Sequence, residues 1–359
     1  MNRQRYKISI TPLGYESIHF EIINPKKEEI LLPTGKYVKV EDANAVFVIK
    51  KDIYVPFLDG NHIYKGHIAL SPKTMNIVQR VDLICKNCHQ HKRFSYVIKS
   101  GVPRKVEKEF YNYVNLHTID GIDTLSPLGY VAFKNRNSQH DGFHFTRFED
   151  NVIPLSALQF HTILDWERIG YIASCASILA TLHLNGYTHN DPKLKNFLLK
   201  KSSILLIDLA KMNHSNNLIS FNWSNSIYST QMQSLRYDFL NFLGNAVYAG
   251  MIRSSAEIEF FFKEYIKVQK KLSDSKEVRK GKPHEIKELM RDLLTAVSLH
   301  KSDKNILNLT KILKDQNQEE PEKLEKEGRN IFKPSFDFST TESYKKIVDE
   351  NTNNGANDK

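Results

Sequence analysis

His189-Asn190-Asp191-Pro192-Lys193-Leu194-Lys195-Asn196 is the stretch of sequence that decides the fold. It places an imidazole, a carboxylate, ammonium groups and a carboxamide close together in the chain. A second carboxylate, Asp208, ends the apolar run Leu205-Leu206-Ile207, which has the composition of a buried strand. We therefore expect a polar loop beside a strand that carries Asp208 at its end.

Phosphoryl transfer from Mg-ATP requires side chains of these types. One carboxylate orients the attacking hydroxyl, an amide and a second carboxylate hold magnesium, and a cation meets the charge on the γ-phosphate. The set therefore indicates kinase chemistry. The alternative is a polar turn followed by an ordinary aspartate at a strand end.

The composition is that of a globular protein with a basic surface. The 359 residues allow two domains, each with its own core, and 40% are hydrophobic and 26% charged. A formal net charge of +10 favours anionic partners such as a nucleotide or a phosphate-bearing membrane surface. The basic residues are scattered and form no block with interleaved aromatics, so we expect no specific nucleic-acid binding.

Cysteine usage and hydropathy predict the cellular location. Three cysteines are too few for a disulfide framework, which favours a reducing compartment. No run reaches the roughly 18–20 apolar residues that cross a bilayer, and MNRQRYKISI lacks the apolar core of a secretory signal. We expect a cytoplasmic protein, with peripheral docking on the cytoplasmic membrane face as an option.

The first part of the chain is rich in strand signals. Residues 1–60 predict a β-rich extension of unassigned function, and residues 61–150 predict further strands and a helix after Pro103. The strands are predicted at Tyr6–Ile10, Ser17–Ile23, Tyr37–Val40, Ala45–Ile49, His67–Leu70, Ile77–Ile84, Phe94–Lys99, Tyr130–Phe133 and Phe143–Phe148.

The second part is helical. Apolar residues at helical spacing run from Trp166 to Leu182, and Gly186 ends that helix. Residues 151–315 also predict a hairpin after the polar loop, while residues 316–359 are charged and predict a largely disordered tail. The predicted hairpin strands are Asn196–Leu199 and Ile204–Ile207, and the later helices are Tyr237–Ala249, Ala256–Lys270, His284–Leu299 and Asn305–Leu313.

From Leu182 to Asp208 the chain is similar to the protein-kinase-like superfamily. The run LHLNGYTHNDPKLKNFLL carries that superfamily's Leu-His, Gly, His-x-Asp, Lys and Asn in order and spacing. The resemblance implies an α+β, two-lobed fold with a β-rich N-terminal lobe and an α-helical C-terminal lobe, here with the N-terminal β-rich extension added. It also implies ATP and Mg²⁺ as cofactors.

The resemblance assigns a role to each residue of the set. Asp191 falls on the catalytic aspartate, which orients the acceptor hydroxyl, and Lys193 on the catalytic-loop lysine. A plain solvated lysine is the alternative for Lys193. Asn196 and Asp208 fall on the two magnesium-binding positions. His189 falls on a histidine that supports the loop by packing and hydrogen bonding.

The superfamily also needs a strand lysine for the α- and β-phosphates and a helix glutamate that holds it. Lys99, in the run SYVIK, is the candidate lysine. Its partner is Glu109 or Glu107, and Glu109 is preferred because it lies nearer the apolar stripe of the predicted helix. The alternative is that both glutamates are surface charges.

Two segments depart from the protein-kinase pattern. Ser71–Asn76 replaces the phosphate-covering loop without a glycine, so its backbone would approach phosphate less easily. This favours a second hypothesis, a pseudokinase that acts as a binding or regulatory module, against which the intact loop residues stand. Leu209–Tyr237 lacks the Ala-Pro-Glu triplet that anchors the peptide-binding segment of protein kinases.

Gly121-Ile122, Pro127 and Gly129-Tyr130 resemble the lipopolysaccharide (Kdo/heptose) kinase group. That resemblance implies a sugar hydroxyl of a lipopolysaccharide-type glycolipid as the acceptor, and a protein Ser/Thr is the alternative. Asp238, after Arg236-Tyr237, resembles the superfamily aspartate that hydrogen-bonds the catalytic loop from below.

The cysteines and neighbouring histidines allow one metal hypothesis. Cys85, Cys88, His89 and His91 are ligand types that could hold zinc. They lie in one tight turn, and the adjacent Cys88 and His89 point apart, so a plain hairpin turn is preferred. Cys175 lies on an apolar helix and is expected in the core.

Overall fold

The residues described by the computed structural model fall into two units along the chain. Unit 1 consists of Met1–Asp120, Thr124–Asp150 and Asp208–Ala210, and unit 2 of Gly121–Asp123, Asn151–Ile207 and Lys211–Lys359. Within these ranges the structure describes residues 5–10, 18–53, 62–70, 77–85, 93–201, 203–214, 230–275, 289–290, 293, 297 and 304–314.

Unit 1 is built on an eight-stranded antiparallel sheet with the strand order β3-β4-β5-β10-β11-β8-β7-β6. The hairpin of β1 and β2 forms a separate two-stranded sheet, and the short β9 lies at the boundary between the units in the sequence. The strands are β1 (Arg5–Ile10), β2 (Ile18–Ile23), β3 (Lys26–Leu32), β4 (Gly35–Glu41), β5 (Ala45–Lys50), β6 (His62–Ala69), β7 (Val78–Cys85), β8 (Arg93–Gly101), β9 (Asp123–Thr124), β10 (Pro127–Phe133) and β11 (Gly142–Arg147).

One helix, α1 (Pro103–Leu116), packs against the large sheet. It begins with proline in its first turn, where the missing N–H costs no hydrogen bond. Its residues Phe110 and Val114 pack on one face of the sheet, and Phe20 and Ile22 of the β1–β2 hairpin pack on the other. Because both faces are covered, β5 is buried along almost its whole length and reads as an unbroken apolar run.

Unit 2 is mainly helical and contains two small sheets. The hairpin of β14 and β15 pairs with β12, and β13 pairs with β16. Single 3-10 turns cover Leu155–Ala157, Phe160–Thr162 and Leu194–Asn196. The elements are β12 (Val152–Pro154), α2 (Asp165–Leu184), β13 (Tyr187–Thr188), β14 (Phe197–Lys200), β15 (Ser203–Leu206), β16 (Asn213–His214), α3 (Thr230–Tyr248), α4 (Ser255–Ser275) and α5 (Lys304–Lys314).

Helix α2 is buried along most of its length and is followed by β13 and then the polar loop. Its first turn is tied to α4 by the buried ion pair of Arg168 with Glu257, whose charged atoms are 2.6 Å apart. Arg168 also donates to the carbonyl oxygen of Met251. At the other end Gly186 takes a φ of +82°, a left-handed conformation that glycine adopts without a steric penalty. Cys175 is buried in this helix, as predicted.

The α+β prediction, with a β-rich first part and a helical second part, is confirmed. The predicted strands and the helices α1 to α5 appear near their expected positions, but β3 was missed. Its sequence KKEEILL starts with four charged residues, which are depleted in strands and tolerated here because β3 is an edge strand. Strands β12, β13 and β16 are too short to give a sequence pattern.

Several predictions lie outside the described residues. They are the glycine-free loop Ser71–Asn76, the turn with Cys88, His89 and His91, the tail 316–359, and most of the helix His284–Leu299. In that last range Leu289, Met290, Leu293 and Val297 are described, and all four are helical. No helix in the described part of the chain combines the length and apolar character that crossing a membrane requires.

Candidate active site

The polar loop after α2 is held by one fully buried carboxylate, that of Asp238 in α3. Its Oδ2 accepts the backbone N–H of His189 at 2.8 Å and its Oδ1 accepts that of Asn190 at 2.6 Å. Nε2 of His183, on α2, lies 3.0 Å from Oδ2. The expectation that Asp238 supports the loop from below is confirmed.

The ring of His189 ties the same loop to the end of β15. Its Nε2 lies 3.0 Å from the carbonyl oxygen of Ile207, and its Nδ1 lies 3.2 Å from the backbone nitrogen of Asp191. This network assigns the ring proton to Nε2, because Nδ1 accepts the Asp191 N–H. The predicted supporting role of His189 is confirmed. Asn190 between them has a φ of +62°, which asparagine tolerates better than most residues.

Asp191 is paired with two lysines. Its Oδ1 is 3.0 Å from the Lys193 ammonium and its Oδ2 is 3.1 Å from that of Lys211. Burial of the carboxyl raises its pKa, but hydrogen bonds from the two ammonium groups outweigh burial, so the pKa of Asp191 lies below its ordinary value. Asp191 is therefore ionised at neutral pH.

Lys211 was not found by sequence reasoning. It lies three positions after Asp208, in the 3-10 turn Leu209–Lys211, and its side chain is 63% exposed. Asn190 Nδ2 donates to its carbonyl oxygen at 3.1 Å, which fixes the backbone of Lys211 beside the loop. A lysine shortly after a strand-end aspartate was the available signal, but such residues are common on surfaces.

Asn196 is oriented by the backbone of the loop. Its Nδ2 donates to the carbonyl oxygen of Asp191 at 2.8 Å, and its own carbonyl oxygen accepts the N–H of Ile207 at 3.0 Å. Because the amide nitrogen is committed to Asp191, the carboxamide oxygen is the atom left to bind a cation. That donor type suits magnesium, and the role of Asn196 as a ligand stays a prediction.

In unit 1, Lys99 lies between two carboxylates. Its ammonium group is 2.9 Å from Glu109 Oε1 and 2.5 Å from Asp208 Oδ1. Strand β8 supplies the lysine and α1 supplies Glu109, whose side chain is only 3% exposed. Glu107 instead accepts the hydroxyl of Tyr130 at 2.9 Å. Of the two candidate glutamates, the structure pairs Glu109 with Lys99.

Burial and charge act in opposite directions on this group. Burial alone would lower the pKa of Lys99, but Glu109 and Asp208 raise it above its ordinary value. For Glu109, burial raises the pKa of the carboxyl and the neighbouring ammonium of Lys99 lowers it, with burial the larger. We assign the ion pair as charged because the ammonium of Lys99 lies within hydrogen-bond distance of both carboxylates.

The same face of α1 also holds the backbone around Asp208. Asn112 Nδ2 donates to the carbonyl oxygen of Leu209 at 2.8 Å, and the N–H of Asp208 donates to the Tyr113 hydroxyl at 3.2 Å. Glu109, Asn112 and Tyr113 are three and four residues apart and so share one helix face. These contacts stabilise Asp208 with a φ of +60°. The sequence did not predict the contacts of Asn112 and Tyr113. Tyr113 was counted only as an apolar position of the helix.

His144 of β11 lies behind the Lys99 group. It pairs with Lys99 across the β8–β11 ladder, and its ring stacks on Tyr113 at a centroid distance of 5.2 Å. Its Nε2 is buried and has no hydrogen-bond partner among the described residues. Burial, with a smaller contribution from the charge of Lys99, lowers the pKa of His144 to about 3. The ring is therefore neutral and adds no positive charge beside Lys99.

The two groups can attract opposite charges. Lys99 with Glu109 and Asp208 carries a net formal charge of −1, whereas Asp191 with Lys193 and Lys211 carries +1. The first suits a cation and the second an anion such as a phosphate. No set of three or more His, Cys, Asp or Glu in the described part of the chain forms a metal cluster. Magnesium needs no such cluster, since it commonly takes one or two carboxylates and completes its shell with phosphates and water.

Comparison with known proteins gives similarity at the level of structure. No protein-family model matches the sequence, and no curated protein matches it. WaaP in complex with acyl carrier protein matches with 14% identity and a TM-score of 0.46, over 70% of this chain and 90% of that chain. The yeast RNA Pol II CTD kinase CTDK-1 complex matches with 16% identity and a TM-score of 0.30, over 44% of this chain and 48% of that chain.

The order of elements agrees with the fold that the sequence predicted. A strand lysine paired with a glutamate of the following helix lies in the β-rich unit. In the helical unit, the His-x-Asp loop lies between α2 and the β14–β15 hairpin. The described residues thus form a β-rich unit and a helical unit, the α+β arrangement that the sequence predicted.

Proposed function

We propose that this chain is an ATP- and magnesium-dependent phosphotransferase that transfers the γ-phosphate to a hydroxyl group. The observation that carries the proposal is the Asp191 loop. An ionised carboxylate with a 9% exposed side chain is fixed through the backbone hydrogen bonds to Asp238. A carboxylate held in this way can orient a hydroxyl for attack, since positioning supplies much of the catalysis in phosphoryl transfer.

The residues around the loop divide the remaining work. Asp191 accepts a hydrogen bond from the acceptor hydroxyl and takes its proton as the hydroxyl oxygen bonds to the γ-phosphorus. The bond from the γ-phosphorus to the β,γ-bridging oxygen breaks in the same step, and ADP leaves. The Lys193 ammonium group, 3.0 Å from Asp191 Oδ1, is the cation proposed to meet the negative charge of the transferred phosphoryl group. In the structure Lys193 neutralises Asp191, so it must reorient towards phosphate when nucleotide binds.

Lys99 and the magnesium candidates complete the proposal. Lys99 binds the α- and β-phosphates while Glu109 holds its ammonium group in place. Asn196 and Asp208 would hold Mg²⁺, which when bound neutralises charge on the phosphate oxygens. Asp208 offers a carboxylate and Asn196 a carboxamide oxygen, the donor types that magnesium prefers.

The proposed acceptor is a sugar hydroxyl of a lipopolysaccharide-type glycolipid. Support comes from the motif resemblance of Gly121-Ile122, Pro127 and Gly129-Tyr130, and from the missing Ala-Pro-Glu triplet in Leu209–Tyr237. The net charge of +10 favours an anionic surface, as such a glycolipid presents. A protein Ser/Thr is the competing acceptor, and a pseudokinase is the competing class.

The test is transfer of label from γ-phosphate-labelled ATP, with magnesium, into separated glycolipid and protein fractions. Wild type is compared with Asp191→Ala and with Asp165→Ala, a carboxylate that also pairs with basic residues but is 64% exposed. We expect label in glycolipid, a loss of about 10²–10⁴-fold in Asp191→Ala, and no loss in Asp165→Ala.

The other outcomes decide between the alternatives. Label in protein that depends on Asp191 moves the acceptor to Ser/Thr. Retained transfer in Asp191→Ala contradicts the assignment of the catalytic residue. If neither fraction is labelled, Mg-ATP binding is measured by thermal unfolding. A ligand at 100 times its Kd raises the free energy of unfolding by about 2.7 kcal/mol. Binding without transfer supports the pseudokinase.

A further inference from the structure

Helix α1 has two faces with different tasks. Glu109, Asn112 and Tyr113 face the Lys99 group and the backbone around Asp208. The second face packs into a buried cluster with residues of β4, β5 and β10. The members of that cluster are Tyr37, Val46, Val48, Val106, Phe110, Val114, Tyr130 and Ala132.

Tyr37 of β4 connects three elements at once. Its fully buried ring lies edge-on to Phe110, with centroids 5.5 Å apart and an angle of 79° between the planes. Its hydroxyl donates to the carbonyl oxygen of Pro127 at the start of β10 at 2.9 Å. An aromatic pair of this geometry contributes stabilisation beyond that of the buried area. Contact with the Tyr37 ring therefore helps to fix the position of Phe110.

The surface against which α1 packs is itself fixed to the sheet. Strand β5 pairs with β10 with Gly129 opposite Ile49. A Cβ atom at Gly129 would lie 2.1 Å from the carbonyl oxygen of Val48, far inside van der Waals contact. The two backbones therefore approach each other as closely as glycine allows. Strands β3–β5 thus form one sheet with the strand that carries Lys99.

Phe110 follows Glu109 directly in α1. Any rotation of the helix that withdraws Glu109 from Lys99 also drags Phe110 past Tyr37 and out of its buried cluster. Closely packed side chains resist such displacement because both a void and an overlap cost free energy. Strands β3–β5 therefore oppose the helix motion that would break the Lys99–Glu109 ion pair.

We propose that strands β3–β5 are a built-in positioning element for α1, which keeps Glu109 against Lys99. The proposal rests on the proposed function in that Lys99 is taken to bind the nucleotide phosphates. Tyr37, Val48 and Phe110 are the positioning residues. None of them touches nucleotide; each acts through the placement of Glu109.

Two valines of these strands provide a matched test. Val48 lies in the buried cluster that contains Phe110 of α1, whereas Val40 of β4 lies in the cluster on the opposite face of the sheet, and both are fully buried. Val48→Ala and Val40→Ala remove the same atoms and should lower Tm to a similar extent. We expect only Val48→Ala to reduce the kcat for label transfer, by about tenfold, since a misplacement of about 1 Å can cost 10²-fold.

A double variant separates positioning from general damage. In a Glu109→Gln background Val48→Ala should cause no further loss of kcat, because the group through which it acts is already altered. Equal losses of kcat for the two valine variants per folded molecule would overturn the proposal. So would a Val48→Ala effect that persists in the Glu109→Gln background.

A readout without turnover keeps the proposal testable if the wild type transfers no label. Lys99 is acylated with an amine-reactive reagent in the folded protein, and its modification is quantified by mass spectrometry. Withdrawal of Glu109 exposes the ammonium group, so Val48→Ala should raise the labelling rate at Lys99 several-fold over that of Val40→Ala. Equal rates in the two variants reject the positioning role, whereas an absence of label transfer by itself rejects only the proposed function.

Discussion

The Lys99 group and the Asp191 group are opposite in charge and in construction. One ammonium group lies between two carboxylates in the first, and one carboxylate lies between two ammonium groups in the second. Glu109 is almost fully buried, whereas Lys211 is mostly exposed. The first group is therefore expected to depend on charge balance and packing, and the second on the backbone of its loop.

The two groups differ in the contacts that hold their geometry. Around Asp191 the loop is held by the backbone N–H groups of His189 and Asn190, which donate to Asp238. We therefore expect the loop to fold without its lysines. Around Lys99 the geometry comes from side chains on β8 and α1, which follow one another in the sequence, and from the distant Asp208. Substitutions can separate these two modes of support.

Lys99→Met is expected to have the largest effect on stability. It removes the ammonium group that pairs with the buried carboxylate of Glu109 and with Asp208. Removal of one partner from a buried charge pair costs about 3–5 kcal/mol of unfolding free energy. The measurement is urea unfolding of the variant beside Lys134→Met, whose ion pair with Glu41 is partly exposed and should contribute less than about 1 kcal/mol. Equal losses would show that burial does not decide the outcome.

Asp238→Ala should follow closely. It leaves the N–H groups of His189 and Asn190 and the ring of His183 without their acceptor. Each buried polar group left unsatisfied costs about 1–3 kcal/mol, so we expect a loss of about 3 kcal/mol or more. Asp165→Ala, at an exposed carboxylate, serves as the control in the same unfolding experiment. A loss below 1 kcal/mol for Asp238→Ala would mean that the loop keeps its form without this support.

The contrast between the groups also explains what the sequence could predict. The characteristic residues from His189 to Asn196 are close together in the sequence, so their types and spacing were enough to identify the loop. Lys99 and Glu109 were identified through the superfamily resemblance, which implies a strand lysine and a glutamate on the following helix. Their proposed roles in binding phosphate stay predictions.

What the sequence could not predict depends on contacts between distant positions. Lys211 lies 20 residues from Asp191 and carries no pattern of its own. Tyr113 was counted only as an apolar helix position, although its hydroxyl accepts the N–H of Asp208. Strand β3 begins with charged residues, and only its place at the edge of a sheet makes them acceptable. In each case the prediction would have required knowledge of the distant residue or strand that lies beside it in the fold.

The pH dependence of stability tests the burial of His144, which lies beside the Lys99 group. Burial lowers its pKa from 6.5 to about 3 in the folded state. Between these values the unfolded chain binds a proton that the folded chain does not, so stability is present above pH 6.5 and falls as pH decreases below it. The expected contribution is about 1.4 kcal/mol per pH unit. Unfolding free energies at pH 7.5 and 5.5 are compared for wild type and His144→Phe, and an equal decrease in both would exclude His144 as the cause.

The smallest effects are expected for the lysines around Asp191. Lys193→Met and Lys211→Met each remove one partly exposed ion pair, and such pairs contribute about 0–1 kcal/mol because water and salt screen them. Asp191 keeps its backbone support through the His189 ring and the Asp238 carboxylate in both variants. The free energies of unfolding of the two variants, measured in urea, should therefore lie within about 1 kcal/mol of wild type. A loss as large as that of Lys99→Met would mean that the loop depends on charge balance after all, and the distinction between the two groups would fail.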